Sequence, residues 1–347
     1  MVVIVGAGLS GLLLAYRLKK AGIPFKVLEA RNRVGGRICT IALKNNAPVD
    51  LGATWFNRDH SQLLDLLEEL DLGYFEQIIG SDVFYQDSKF SMPRIVSIPN
   101  QAPTYRIAGG SSRLIQALVN EIGDELILKN QTVKSLTIAE DSVLIRTNDV
   151  FNCKAAVLAI PPKLWAKNIS FSPNLPSKLM EVALNTHTWM EDSIKFAFNF
   201  ENPFWREKNL PSTLFSNTGP IRELYDQSNQ ERSLFALGGF LSSDVKSLTK
   251  EERLTIVEDV LVKALGEEVK EFTNYEECDW SAEEYTYQDS DAYLFPHQNN
   301  GHPLYRETLL GGKLFISSTE AAEKFPGYME GAVQSANEIA DKIIENT

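Results

Sequence analysis

The chain opens MVVIVGAGLSGLLLA: Val2 to Val5 form a short apolar, β-branched run that meets a turn punctuated by Gly6, Gly8 and Gly11 and then a helical pattern. No other segment restricts the fold as strongly. A fully apolar run of this kind suits a central parallel strand. In the strand–turn–helix order of a dinucleotide phosphate site, the first glycine permits the tight turn and the second lets backbone approach a pyrophosphate. The third lets the helix pack closely on the strand. Backbone N–H groups at the helix start then face the phosphates. A second apolar stretch, Phe25 to Leu28, ends at Glu29, placed to accept the hydroxyls of an adenosine ribose and to disfavour a 2′-phosphate.

Periodicity extends this beginning into an α/β chain. Helices are expected over Leu9–Ala21, next with Asp59 or Ser61 as cap and Leu63, Leu64, Leu66, Leu67 and Leu70 as its apolar face, around Leu114–Ile122, over Glu251–Leu265, and within Gly327–Ile344. Strands are expected at Val133–Ile138 and Val143–Thr147 as a hairpin, at Val157–Ile160 ahead of Pro161 and Pro162, at Ile194–Phe200, at Leu234–Phe240 and at Leu314–Ser317. Residues 76–104, broken by Pro93, Pro99 and Pro103, look like a short excursion from the first domain.

The bulk properties narrow the partners. With 34 basic against 46 acidic side chains, the net charge of −12 argues against nucleic acid. Three separated cysteines without a CxxC pair suggest a reduced compartment, and four histidines without HExxH or a dense cluster suggest no metal site. No apolar run is long enough to cross a membrane, and no secretory signal precedes the first strand, so a cytoplasmic protein with no membrane partner is expected.

Several separated segments together resemble the flavin-containing amine oxidase family, which includes monoamine and polyamine oxidases. They are the glycine turn with Glu29, VGGR at 34–37, LGATWF at 51–56, AGG at 108–110, LAIPP at 158–162, IKF at 194–196 and STEAAEKFPGYMEGAV at 318–333. The resemblance implies a Rossmann-like parallel-sheet domain that binds FAD, built from residues 1–75, 105–165 and 289–347. A smaller mixed-sheet and helical substrate domain would comprise 76–104 and 166–288. It implies non-covalent FAD touched by Gly6, Gly8, Gly11, Glu29, Ala30, Gly35, Gly36, Arg37, Gly52, Ala53, Thr54, Val133, Glu320 and Met329.

On the same match Lys195 is the lysine that reaches the flavin N5 through a water, and Tyr328 is one wall of an aromatic substrate cage. Read locally, Lys195 is instead a solvent-facing lysine on an edge strand. The other wall does not carry over: Ser290 stands where a second cage tyrosine is expected and Asp289 where a flavin-linked cysteine is expected, leaving Tyr287 or Tyr293 as aromatic candidates. The short 76–104 segment implies a smaller or more open entrance.

The implied chemistry is oxidation of an amine C–N bond to an imine, with a small amine as substrate and O2 as acceptor, yielding hydrogen peroxide. Two alternatives stand beside it: an FAD-dependent desaturase or dehydrogenase of an apolar substrate, and a non-catalytic FAD-binding redox scaffold. Self-association into a homo-oligomer is left open.

Overall fold

The computed structural model describes residues 1–88, 91–289 and 293–346. Its centre is a five-stranded sheet in the order Leu314–Ile316, Ala155–Leu158, Val2–Val5, Phe25–Leu28, Ile127–Leu128, every neighbouring pair parallel. Val2–Val5 is buried at all four positions, as its apolar run predicts. The helices Leu9–Lys20, Ser112–Ile122 and Met329–Glu345 pack in one apolar core against one side of this sheet. Trp165, Leu136, Ile145 and Leu179 belong to a core on the other side.

A seven-stranded mixed sheet forms the second layer, in the order Asn274–Asp279, Ile194–Phe200, Phe235–Leu241, Ile221–Asp226, Leu214–Ser216, Asp82–Gln86, Arg94–Ser97. All neighbours are antiparallel except Leu214–Ser216 with Asp82–Gln86. The 76–104 excursion thus contributes two strands to this sheet. Helix Lys250–Leu265 packs against it, closed at its start by a capping box between Thr249 and Glu252. The expected hairpin forms at Ser135–Ile138 and Val143–Arg146 and grows to four strands. Together these layers are the α/β architecture expected from the sequence.

Two local expectations are corrected. Neither Asp59 nor Ser61 caps helix Ser61–Glu69: His60 is its N-cap residue and makes no side-chain cap. The cap arrives through space, because the Gln62 and Leu63 N–H groups donate to the Glu330 carboxylate at 3.2 and 2.7 Å. Pro161 and Pro162 do end a strand, but Pro162 also begins helix Pro162–Asn168, since a proline at the first helical position sacrifices no hydrogen bond.

Candidate active site

The glycine turn defines one end of the site. Gly6 has φ +107°, and a Cβ there would fall 2.6 Å from Ile160 Cγ2 and 2.7 Å from the Ala159 carbonyl oxygen. Gly11 lies beneath it, where a Cβ would stand 2.0 Å from the Gly6 carbonyl oxygen, so helix Leu9–Lys20 rests directly on the turn. Gly8 is the opposite case: an added Cβ would meet only Gly36 Cα, at 3.9 Å. The open side faces a cavity of about 710 Å³ lined by Gly6, Gly8, Leu9 and Ser10. No side chain caps this helix start and its first turn carries no acidic residue, leaving its positive end for an anion.

Glu29 borders the same end, 4% exposed. Its Oε2 accepts from the Ala7 N–H at 2.8 Å and its Oε1 from the Arg31 N–H at 2.9 Å, so its orientation is fixed by backbone. Ala30 and Val133 line the cavity beside it. Gly35 and Gly36, at φ +101° and +57°, form a second turn that leans on the first, with the Gly35 N–H donating to the Ala7 carbonyl at 2.8 Å.

At the far end lie Gly52, Ala53, Thr54, Lys195, Tyr328 and Met329. Strand Ile194–Phe200 runs between two other strands, so Lys195 is not an edge lysine; it is 1% exposed. Its Nζ donates to the Gly52 carbonyl at 2.8 Å and to Thr54 Oγ1 at 2.6 Å. The ammonium also sits 4.7 Å from the Trp55 ring centroid and 4.9 Å from that of Phe240. Burial pushes its pKa down to about 8, against the pull of the Asp50 and Glu223 carboxylates.

Tyr328 precedes helix Met329–Glu345 and is held by Thr319, whose Oγ1 donates to the Tyr328 carbonyl at 2.6 Å. Its ring stacks on His297 at 6.1 Å and 14°, and His297 stacks on Trp189 at 4.5 Å and 20°. Two expected contact residues do not reach the cavity surface. Gly11 is packed under the turn, and Glu320, fully buried, lies with its Oε1 2.7 Å from Arg37 Nη2, itself a lining residue.

The candidate aromatic wall is also redistributed. Tyr293 is 77% exposed and pairs edge-on with Phe295, while Tyr287 donates to Asp289 Oδ1. Neither lines the cavity, whereas Trp55, Trp189, Phe240 and Tyr285 do. Ser290 lies outside the described residues. Glu223, in strand Ile221–Asp226, is a further lining residue that the sequence reading missed. A register irregularity between Ile221 and Glu223 brings Arg222 and Glu223 both to the cavity, the re-aiming that a bulge produces. Arg222 lies 3.7 Å from Asp244, while Glu223 Oε2 accepts from Tyr225 Oη at 2.8 Å and has no ion-pair partner among the described residues.

Comparison with known proteins decides what this cavity belongs to. A family model described as flavin containing amine oxidoreductase matches residues 9–101 and 73–344. The chain belongs to that family. Amine oxidase [flavin-containing] B of Rattus norvegicus is 26% identical, with 99% of this chain and 86% of the rat protein covered. A probable flavin-containing monoamine oxidase A of Dictyostelium discoideum is 25% identical over 99% and 98% of the two chains. The rat alignment spans 451 positions, more than the 347 residues of this chain, so that relative carries segments absent here. Among solved structures, cyclohexylamine oxidase from Brevibacterium oxydans IH-35A superposes with TM-score 0.86 at 21% identity, covering 99% and 98% of the two chains. Putrescine oxidase bound to putrescine superposes with TM-score 0.83 at 23% identity, covering 99% and 98%.

This amine oxidoreductase uses FAD to oxidise an amine C–N bond to an imine. Its residues fit that cofactor: the uncapped helix start and the open face of Gly8 suit a pyrophosphate, and Glu29 beside them suits a ribose. Among the described residues no cysteine lines the cavity. No described helix is long and apolar enough to cross a membrane.

Proposed function

We propose that the substrate is an amine carrying a second cationic nitrogen, oxidised at the end near Lys195 while Glu223 holds the other end. The observation that carries this reading is the half-buried Glu223 carboxylate, which faces the cavity without a cation to pair it. The register places Lys195 opposite Phe240, and Phe240 opposite Glu223, so the three share a sheet face. Two strand spacings separate the Lys195 and Glu223 backbones by roughly 10 Å, and both side chains enter the same cavity. The likeness to a putrescine-bound oxidase agrees with a substrate that has an amine at each end.

Bound FAD supplies the two-electron acceptor. The chain's own groups do the rest. Lys195 Nζ exchanges a proton at the reacting end, where the amine must be neutral; its lowered pKa suits that exchange near neutral pH. Trp55, Phe240 and Tyr328 provide aromatic faces that orient the substrate and keep water away. Glu29, Ala30, Gly6, Gly8, Gly35, Gly36, Arg37, Gly52, Ala53, Thr54, Val133 and Met329 hold the cofactor, with Gly11 and Glu320 supporting from behind. In this reading O2 is the final acceptor and hydrogen peroxide a product. The FAD unit is 1–75, 105–165 and 289–347 and the substrate unit 76–104 and 166–288, a division supported by the membership of the two large sheets.

Anaerobic flavin bleaching tests the reading with 1,4-diaminobutane and butan-1-amine, on the parent protein and Glu223→Gln. The expected result is that the substitution lowers the reduction efficiency of the diamine about 100-fold, for loss of a charge-paired contact worth roughly 2–3 kcal/mol, and leaves the monoamine little changed. Equal losses for both amines, or none, would refute the role of Glu223.

A further inference from the structure

A second recess, of about 390 Å³, lies between the pairing of Tyr74–Glu76 with Tyr105–Ile107 and the chain leaving strand Ile221–Asp226. Its wall carries three guanidinium groups, from Arg106, Arg206 and Arg232, and two carboxylates, from Asp226 and Glu76. Asp226 is already committed: its Oδ2 accepts from Trp205 Nε1 and from Arg206, and its Oδ1 from the Ser228 N–H. That contact neutralises Arg206. Arg232 and Glu76 are exposed to solvent.

Arg106 is different. It is 5% exposed and has no carboxylate within ion-pairing distance among the described residues. Its Nη1 donates to Gln227 Oε1 at 2.9 Å and its Nη2 to the Ser228 carbonyl at 2.5 Å, both neutral acceptors. Its Nε has no partner, and neither has the Oγ of Ser228, which is 2% exposed and lines the same recess. Asp50 and Asp226 act on the guanidinium only as more distant charges. A buried cation that meets only neutral oxygens, beside an unmet N–H and an unmet hydroxyl, is costly in the absence of an anion. The apolar part of the wall is equally specific: the Phe75 ring lies 4.7 Å from the Arg106 guanidinium carbon, and Ile78 is adjacent.

We propose that this recess is a second small-molecule site, separate from the FAD cavity, that takes a monocarboxylate with a short apolar body. The carboxylate engages Arg106 and Ser228, and the body lies against Phe75 and Ile78. Three guanidinium groups against two carboxylates give the wall a net charge of +1, which suits a monoanion. A phosphate dianion would carry one more negative charge than that wall offsets. The site also adjoins the catalytic end through Gln77. That side chain lines the recess, donates to the Asp226 carbonyl at 2.9 Å and accepts from Trp55 Nε1 at 3.1 Å.

Isothermal titration of the FAD-loaded protein in a zwitterionic buffer, with butanoate, butan-1-ol and inorganic phosphate as probes, tests the proposal. One butanoate is expected per chain, bound saturably, while butan-1-ol gives no saturable heat. Arg106→Gln should weaken butanoate about tenfold or more and Ser228→Ala about threefold. Ser228→Ala removes only an unbonded hydroxyl, so the test survives if Arg106→Gln misfolds. Three results would overturn the proposal: no saturable butanoate heat, phosphate binding more tightly than butanoate, or binding that is insensitive to Ser228→Ala and is displaced by 1,4-diaminobutane, which would put butanoate in the larger cavity.

Discussion

Replacing Lys195 by Met should reverse the order of stability between variant and parent as pH rises. Burial moves the Lys195 pKa from an ordinary value near 10.5 to about 8, so keeping its charge inside the fold costs about 3 kcal/mol at neutral pH. Below pH 8 both folded and unfolded chains carry the proton, and the cost is present in full. Between pH 8 and 10.5 the unfolded chain holds a proton that the folded chain has lost, so stability rises with pH through that window. Met removes the titration and keeps an apolar stem between Trp55 and Phe240. It also removes two hydrogen bonds, but the Gly52 carbonyl still accepts from Thr54 Oγ1 at 3.0 Å, which limits the loss to about 1 kcal/mol. Lys195→Met is therefore expected to be about 2 kcal/mol more stable than the parent at pH 7 and about 1 kcal/mol less stable at pH 10.5. Urea unfolding of the two FAD-loaded proteins at pH 7, 9 and 10.5 reads the difference directly, because other titrating groups cancel. Parallel stability curves would refute the reasoning. In the same variant, anaerobic reduction by amine should slow about 100-fold, the scale of a lost proton-transfer group.

Other outcomes follow from single contacts. Gly8→Ala points its Cβ into open cavity and should keep the native far-UV spectrum while losing retained flavin absorbance after desalting. Gly11→Ala places a Cβ 2.0 Å from the Gly6 carbonyl oxygen and should abolish soluble protein. Glu330→Ala should lower unfolding stability by about 1–2 kcal/mol in urea, because two N–H groups at the start of helix Ser61–Glu69 lose their acceptor. Lys163→Met strands the buried Glu191 carboxylate, whose Oε1 it holds at 2.6 Å and whose Oε2 has no partner, and should cost about 3–5 kcal/mol. A second substitution, Glu191→Met, should restore much of that loss by the same measurement.

The glycine turn and Glu29 were legible in the sequence because each depends on near neighbours: a short buried strand, a positive φ, a helix start. Strand Ile194–Phe200 was legible from its apolar run, but burial at all seven of its positions was not. The interior place of Lys195 depends on two partner strands, one about 40 residues and one about 80 residues later in the chain. Glu223 left no local signal, since an acidic residue in an alternating strand reads as a solvent face, and alternation does not say which face meets the cavity. The cap on helix Ser61–Glu69 was invisible for a related reason, as its acceptor lies 267 positions away. Trp189 follows no periodic pattern; its place depends on a loop tied by the Arg37 Nη1 donation to its carbonyl.

The strand order of the parallel sheet has a consequence for biosynthesis. Val2–Val5, the middle strand, is translated before the other four strands of its sheet, yet its side of the site waits for Leu314–Ile316 and for helix Met329–Glu345, which rests on the same core. A growing chain can expose the glycine turn throughout synthesis of the segments between it and Ser318 without the wall that holds Tyr328 and Met329. Cofactor capture in its final form is therefore an event that follows synthesis of this last helix, and a ribosome-stalled chain ending before Ser318 would leave its opening strand and turn without their late-arriving cover.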